Sequence, residues 1–113
     1  MKYKMICIDM DGTLLGKRKR ISERNKNAIK QAHDKGIEIV VTTGRLYNNA
    51  AYFSKLLGVD SPVIAANGAI VIDQKNNEVI YECGIPKYEC IKILKILIKY
   101  NSFFLFNTRN MIY

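Results

Sequence analysis

The sequence predicts an α/β protein built on a Rossmann-like parallel sheet. Three short runs rich in apolar and β-branched residues alternate with two segments of helical period, and this alternation indicates βαβ units with right-handed crossovers. Each apolar run is followed at once by polar residues or glycine. Because ligands bind beyond the carboxyl ends of such strands, the fold class also predicts where the functional residues lie.

The first 66 residues supply the parallel part of the sheet. We predict strands at residues 3–8, 37–41 and 63–66. Ser22 is a good N-cap for a first helix that runs to about residue 35, and Gly36 suits the position after its end. The second helix covers residues 46–57 and ends before Gly58.

The remaining chain changes pattern and predicts antiparallel structure. Residues 69–73 and 79–83 flank a polar segment and are typical of a β-hairpin. Residues 87–100 predict an amphipathic helix whose apolar stripe we expect to pack in a core or a cap rather than to bind a partner. Residues 103–106 and 111–113 predict a second hairpin.

Composition places the chain among ordinary globular proteins. It has 113 residues, of which 49% are apolar and 25% charged, and this excludes disorder. No apolar run reaches the roughly 18 residues of a membrane span, so we expect no membrane partner. Its three cysteines lack metal-ligand spacing, which favours reduced thiols in a cytoplasmic protein. We expect Cys7 to be a buried residue of the first strand.

The net charge of +8 is concentrated in residues 17–35, which carry eight basic and two acidic residues. Such a patch attracts phosphates or nucleic acid. A solvated loop and helix face is the more common meaning of a short basic run, and interleaved aromatic residues, which would favour nucleic acid, do not occur in this segment. We therefore favour the solvated face over nucleic-acid binding.

Asp9 and Asp11 are the most informative residues of the chain. Two carboxylates at the end of an apolar strand repel each other, so the pair needs a cation, a proton or a reaction to compensate it. A calcium loop of the EF-hand type is excluded, because its sixth and twelfth positions would be Leu14 and Arg20. A purely structural role, in which the two acids cap a turn, is the alternative that stays open.

Phosphoryl transfer explains the pair better than a turn does. Asp9 is a candidate nucleophile that forms an aspartyl-phosphate, and Asp11 a candidate general acid and base. Mg²⁺ would offset the repulsion between the anionic substrate and Asp9. The Thr43 hydroxyl and backbone N–H groups near Gly12 and Gly44 are candidates for binding the phosphoryl oxygens.

Three segments in this order, residues 9–15, 43–45 and 67–69, resemble those of Cof-type hydrolases of the haloacid dehalogenase-like superfamily. The resemblance implies a Mg²⁺-dependent phosphatase of small phosphorylated metabolites. It implies that the Asp9 carboxylate and the Asp11 backbone carbonyl bind the metal, and that Thr43 binds phosphate. Arg45 and Asn67 are implied to line the site, although Arg45 could instead cap local carbonyl groups.

The chain also departs from the family pattern. The later lysine and the Gly-Asp-x-x-x-Asp-type segment of that family have no counterpart here. We therefore expect residues 1–83 to form the N-terminal part of the family's core and residues 84–113 the beginning of a cap domain, with little or no activity alone. The alternatives are a non-catalytic truncated product and a module that binds a partner or itself through an uncovered sheet edge.

Overall fold

A computed structural model describes residues 2–109 of the chain. The strands are β1 (Met5–Asp9), β2 (Glu38–Thr42), β3 (Val63–Ala65), β4 (Ile70–Asp73) and β5 (Glu78–Glu82). The helices are α1 (Glu23–Asp34), α2 (Tyr47–Leu56) and α3 (Lys87–Lys99), with single 3₁₀ turns at Lys17–Lys19 and Ala66–Gly68. The elements from β1 to α3 therefore follow the predicted order.

Within residues 2–109 the five strands form one sheet in the order β1-β2-β3-β4-β5. The first three strands are parallel, and their register places Asp9 beside Thr42 and Thr42 beside Ile64. The hairpin of β4 and β5 extends the same sheet in antiparallel fashion from β3. The predicted α/β class, with three parallel strands, two crossover helices and a hairpin, is confirmed.

The core lies over β2 and β3, where helices and neighbouring strands exclude water from the side chains. Ile39, Val41 and Val63 have no exposed surface. They pack in one apolar cluster with Ile29 of α1 and Ala50 of α2. Strands in the middle of a parallel sheet are covered on both faces, which explains the continuous apolar sequence of β2.

The ends of α1 follow the capping rules. The Ser22 side chain accepts a hydrogen bond from the backbone N–H of Asn25 at 3.1 Å. At the other end, the N–H groups of Gly36 and Ile37 donate to carbonyls of the last turn at 2.8 and 3.1 Å. These bonds satisfy backbone groups that a helix end leaves without partners, so the sequence signals place this helix correctly.

The first strand differs from the prediction, because β1 lies at an edge of the sheet. Met5 is 55% exposed and Ile6 39% exposed, and Cys7 is exposed rather than buried. Only one neighbour, β2, pairs with this strand among the described residues. An open edge of this kind is what pairing with another strand requires, and self-association through it stays a prediction.

The segment after β5 also differs from the prediction. Helix α3 lies where it was predicted, but it has no buried residue, so its apolar stripe does not pack in a core within residues 2–109, and its packing in a cap stays a prediction. Residues 103–106, which were predicted as a strand, form none in the described structure, because apolar and aromatic composition is only a weak preference for strand. The predicted strand at residues 111–113 lies outside the described residues. No helix of the described part is long and apolar enough to cross a membrane.

We predict that two isoleucines paired across β1 and β2 contribute very differently to stability. Ile6 and Ile39 are register partners, but Ile39 is fully buried. Ile39→Ala should lower the free energy of unfolding by about 2–5 kcal/mol because it opens a cavity. Ile6→Ala should lower it by less than about 1 kcal/mol, since its site is already half solvated. Urea denaturation of both variants measures this, and equal losses would contradict the assignment of β1 to an open edge.

Candidate active site

Three loops meet where the parallel strands end. Asp9 ends β1, Thr43 follows β2, and residues 66–68 follow β3. The second and third loops are joined by backbone hydrogen bonds: the N–H of Ala66 donates to the carbonyl of Arg45 at 2.9 Å, and that of Asn67 to the carbonyl of Thr43 at 3.1 Å. The predicted convergence of the three segments at one sheet edge is therefore present.

The two acids flank a residue of the core. Met10, between them, has no exposed surface and packs in the apolar cluster, while Asp9 is exposed. Successive residues of an extended chain point to opposite sides, so burial of Met10 turns both carboxylates outward. The hydroxyl of Thr13 lies 3.4 Å from Oδ2 of Asp9, a long contact that leaves most of this carboxylate available.

Gly12 lets the chain turn directly after the acids. Its φ is +81°, in the left-handed region that side chains with a Cβ rarely adopt. A Cβ there would meet no atom within 4 Å, so the requirement for glycine comes from the backbone and not from crowding. After this turn the N–H of Leu14 donates to the carbonyl of Asp9 at 3.1 Å, which closes the loop.

Asp11 forms a bidentate ion pair with Arg45, which lies 34 residues away in sequence. Nε and Nη2 of Arg45 donate to the two carboxylate oxygens at 2.7 and 2.6 Å. These hydrogen bonds, with the charges of Arg45 and Lys19, hold the pKa of Asp11 below its ordinary value, although partial desolvation opposes them. The guanidinium of Arg45 also stacks over the ring of Phe53 at 5.6 Å.

Thr43 is the buried hydroxyl of the site. It is 5% exposed, and its Oγ1 accepts a hydrogen bond from the backbone N–H of Arg45 at 3.1 Å. A hydroxyl that accepts one hydrogen bond still has its own hydrogen to donate. The arrangement therefore leaves an O–H donor at the end of β2.

Gly44 lies against the side chain of Asn67. A Cβ on Gly44 would lie 2.8 Å from Oδ1 of Asn67 and 3.3 Å from its Cγ. Asn67 itself has a φ of 54°, a left-handed conformation that asparagine tolerates better than most residues. Ala66, with a φ of 49°, adopts the same region at a cost of about 1–2 kcal/mol. Close packing of the two loops accompanies this strain.

The donor set at this edge suits a hard divalent cation. Asp9 and Asp11 supply carboxylate and carbonyl oxygens, and Mg²⁺ is usually held by one or two carboxylates, waters and substrate phosphate. Residues 2–109 contain no cluster of three or more His, Cys, Asp or Glu side chains able to hold a metal. Among residues 2–109 Asp9 forms no ion pair, so its carboxylate is available to bind a cation.

All seven residues predicted for the site lie in these three loops. They are Asp9, Asp11, Gly12, Thr43, Gly44, Arg45 and Asn67. Two further participants were not predicted. Lys19 acts on Asp11 through its charge, and Phe53 supports Arg45. Both contacts are tertiary, and no local pattern in the sequence signals them.

Comparison with known proteins gives a consistent result. A family model described as haloacid dehalogenase-like hydrolase matches residues 6–113. The phosphatase YwpJ of Bacillus subtilis is 38% identical over 110 residues, which cover 97% of this chain and 38% of that protein. The 5-amino-6-(5-phospho-D-ribitylamino)uracil phosphatase YcsE of the same organism is 42% identical over 74 residues, 66% of this chain and 30% of that protein.

Solved structures agree with the sequence relatives. A haloacid dehalogenase-like hydrolase from B. subtilis superposes with a TM-score of 0.77 at 39% identity, over 87% of this chain and 34% of the other. The subclass IIB sugar phosphatase BT4131 gives a TM-score of 0.80 at 30% identity, over 96% of this chain and 42% of the other. The chain thus spans between 30% and 42% of the length of these four proteins.

We predict that Gly44→Ala disturbs the site through Asn67. The added methyl group lies too close to Oδ1 and should cost about 1–3 kcal/mol as an overpacking change. Asn67→Gly keeps the left-handed backbone while removing the obstructing amide. The double variant should therefore recover most of the loss, as measured by urea denaturation in a double-mutant cycle. Additive effects of the two changes would show that the two residues do not contact each other.

We also predict that Arg45→Gln raises the pKa of Asp11. This substitution removes the positive charge and one of the two hydrogen bonds of the ion pair. The ionised form of Asp11 is then less stabilised relative to the protonated form. The ¹³C shift of the Asp11 carboxyl carbon, followed against pH, measures the change, and Arg24→Gln is the matched control. Because the folded pKa is lowered, the ion pair stabilises the fold above the ordinary pKa of aspartate and is lost as the pH falls. An unchanged titration would contradict the ion pair.

Proposed function

Because this chain belongs to the haloacid dehalogenase-like hydrolase family, a family of hydrolases that includes phosphatases, we propose that it carries the nucleophile of a Mg²⁺-dependent phosphatase. The proposed reaction is hydrolysis of small phosphorylated metabolites through an aspartyl-phosphate. The observation that supports it most is the position of Asp9, Asp11 and Thr43 at one sheet edge.

In the first step a carboxylate oxygen of Asp9 attacks the phosphorus of the substrate. The bond to the leaving oxygen breaks as the aspartyl-phosphate bond forms, and Asp11 gives that oxygen its proton. In the second step water attacks the phosphorus, Asp11 takes a proton from it, and Asp9 is released with inorganic phosphate. The exposure of Asp9 and its single long contact with Thr13 support the role of nucleophile.

Asp11 has to be protonated before it can donate. In the ion pair the pKa of Asp11 is lowered by Arg45, which favours the ionised form. We propose that the incoming phosphate takes over the hydrogen bonds of Arg45, since a guanidinium binds phosphate and carboxylate with the same bidentate geometry. Asp11 would then regain its proton when substrate is bound.

The remaining groups would position the phosphoryl oxygens. The Thr43 hydroxyl has a hydrogen to donate, and backbone N–H groups near Gly12 and Gly44 can donate from the two turns. The Asp9 carboxylate and the Asp11 carbonyl would hold Mg²⁺. When bound there, Mg²⁺ supplies charge compensation between the phosphate and the attacking carboxylate.

We further propose that residues 1–83 are part of the catalytic core and residues 84–113 begin a cap. The names of two relatives support a small phosphorylated substrate. One is a 5-amino-6-(5-phospho-D-ribitylamino)uracil phosphatase, and the other is a sugar phosphatase. A cavity of about 560 Å³ lies between the two parts. Its lining includes Tyr47 and Ile70 from the first part and Ile93 and Leu97 from α3. A site of this size accommodates a small molecule.

A chimera tests the proposed function. This chain replaces the matching residues of phosphatase YwpJ, and hydrolysis of p-nitrophenyl phosphate is measured with and without Mg²⁺. We expect Mg²⁺-dependent turnover. Asp9→Asn should lower kcat by about 10³-fold or more, because the nucleophile is lost. Asp11→Asn should lower it by about 10²–10⁴-fold, the usual contribution of a general acid and base. Undiminished turnover in Asp9→Asn would contradict the mechanism.

The 113-residue chain alone is the control for this experiment. We expect little or no turnover from it, because the described residues hold no third acidic metal ligand. Asp60→Asn is the matched substitution, since Asp60 is an exposed aspartate away from the three loops. It should leave the chimera's activity unchanged. Robust turnover by the chain alone, abolished by Asp9→Asn, would contradict the expected need for further ligands.

A further inference from the structure

A basic cleft of about 490 Å³ lies between the loop before α1 and the side of α2. Its lining residues are Arg18, Lys19, Arg20, Ile21, Glu23, Lys26, Tyr52, Phe53 and Leu56. One wall is thus cationic and the other aromatic and apolar. The sequence alone places these two walls about 30 residues apart, and the fold brings them together.

The positive charge of the basic cleft is largely uncompensated. Glu23 is its one acidic lining residue, and it pairs with Lys26 at 2.8 Å. Among residues 2–109, Arg18, Lys19 and Arg20 form no ion pair. Three unpaired cations around one concave surface attract anions and raise their local concentration.

The cationic wall is held in place by the backbone. The N–H of Gly16 donates to the carbonyl of Arg20, and the N–H of Lys19 to the carbonyl of Gly16, both at 3.1 Å. Leu15 makes β-bridges with both Asp11 and Ile21. The loop that carries the cations is therefore attached directly to the chain segment of Asp11.

The basic cleft and the candidate active site share a wall. Phe53 lines the cleft, and the guanidinium of Arg45 stacks on its ring while binding both oxygens of Asp11. The cleft therefore adjoins Arg45, the residue that binds Asp11.

We propose that the basic cleft binds a second phosphate group of the substrate, so that the substrate class is a small metabolite carrying two phosphates. This inference rests on the proposed phosphatase function and narrows it. Arginine and lysine bind phosphate through charge-assisted hydrogen bonds, and the aromatic wall suits the carbon skeleton between the two groups. A volume of 490 Å³ lies within the range of small-molecule sites.

The test compares ligands that differ by one phosphate. The 113-residue chain, labelled with ¹⁵N, is titrated in the presence of Mg²⁺ with fructose 6-phosphate and with fructose 1,6-bisphosphate. We expect the bisphosphate to bind about tenfold more tightly, the effect of added charge-assisted hydrogen bonds. Only the bisphosphate should shift the amide signals of residues 18–20 and 52–53. Both ligands should shift those of residues 9–13 and 43–45.

The second test removes two positive charges from the cleft and compares the result with removal of two positive charges elsewhere. The double variant Arg18→Gln, Arg20→Gln should lose the roughly tenfold preference while keeping its affinity for the monophosphate. Arg24→Gln, Lys30→Gln removes the same charges from α1 outside the cleft and should keep the preference. Equal loss in both variants would show a general charge effect and overturn the proposal.

The remaining outcomes separate this inference from the proposed function. If the two ligands bind equally and shift only residues 9–13 and 43–45, the second phosphate site is wrong and the phosphatase proposal stands. If the bisphosphate shifts only residues 18–20 and 52–53, the cleft binds anions and the phosphatase proposal fails. A single-stranded oligonucleotide that binds the cleft more tightly than the bisphosphate would overturn the inference in favour of nucleic acid.

Discussion

The bidentate ion pair between Asp11 and Arg45 is the contact on which the candidate site depends. It joins the loop after β1 to the loop after β2, and backbone bonds from Ala66 and Asn67 then attach the loop after β3. The ion pair also reduces the repulsion between the two neighbouring carboxylates, because Arg45 neutralises Asp11 and leaves Asp9 accessible. The two carboxylates can therefore lie at the same edge of the sheet.

Much of the fold was predictable because it depends on local signals. Such signals act within a few residues, as do the Ser22 cap, the apolar run of β2 and the polar segment between β4 and β5. The predicted family and the predicted α/β class are both confirmed. The exposure of β1 was not predictable, since an apolar strand has the same sequence whether it lies at an edge or in the middle of a sheet. The predicted strand at residues 103–106 was wrong because apolar and aromatic composition expresses a context-dependent preference and does not fix strand pairing.

Some features of the candidate site could likewise be predicted from the sequence, and others could not. Parallel strands bring their carboxyl ends to one edge, so topology alone grouped the predicted residues. Their individual contacts needed the structure. Sequence reasoning left Arg45 between a phosphate ligand and a carbonyl cap, whereas its guanidinium binds Asp11. The need for glycine at position 44 likewise depends on Asn67, which is 23 residues away and packs against it. Contacts between residues far apart in the chain produce no local pattern in a single sequence, so they could not be predicted.

Charge balance links the ion pair to the basic cleft. Asp9, Asp11 and Arg45 together carry a net charge of −1, which one divalent cation changes to +1. The three unpaired cations of the loop at residues 18–20 raise this to +4. A phosphate monoester carries about −1.5 to −2 at neutral pH, so one such group leaves the surface strongly positive and a second lowers that charge further, whether Asp11 is ionised or protonated. A basic cleft beside a site for anions raises their local concentration, and a second phosphate bound there would offset charge that the first leaves.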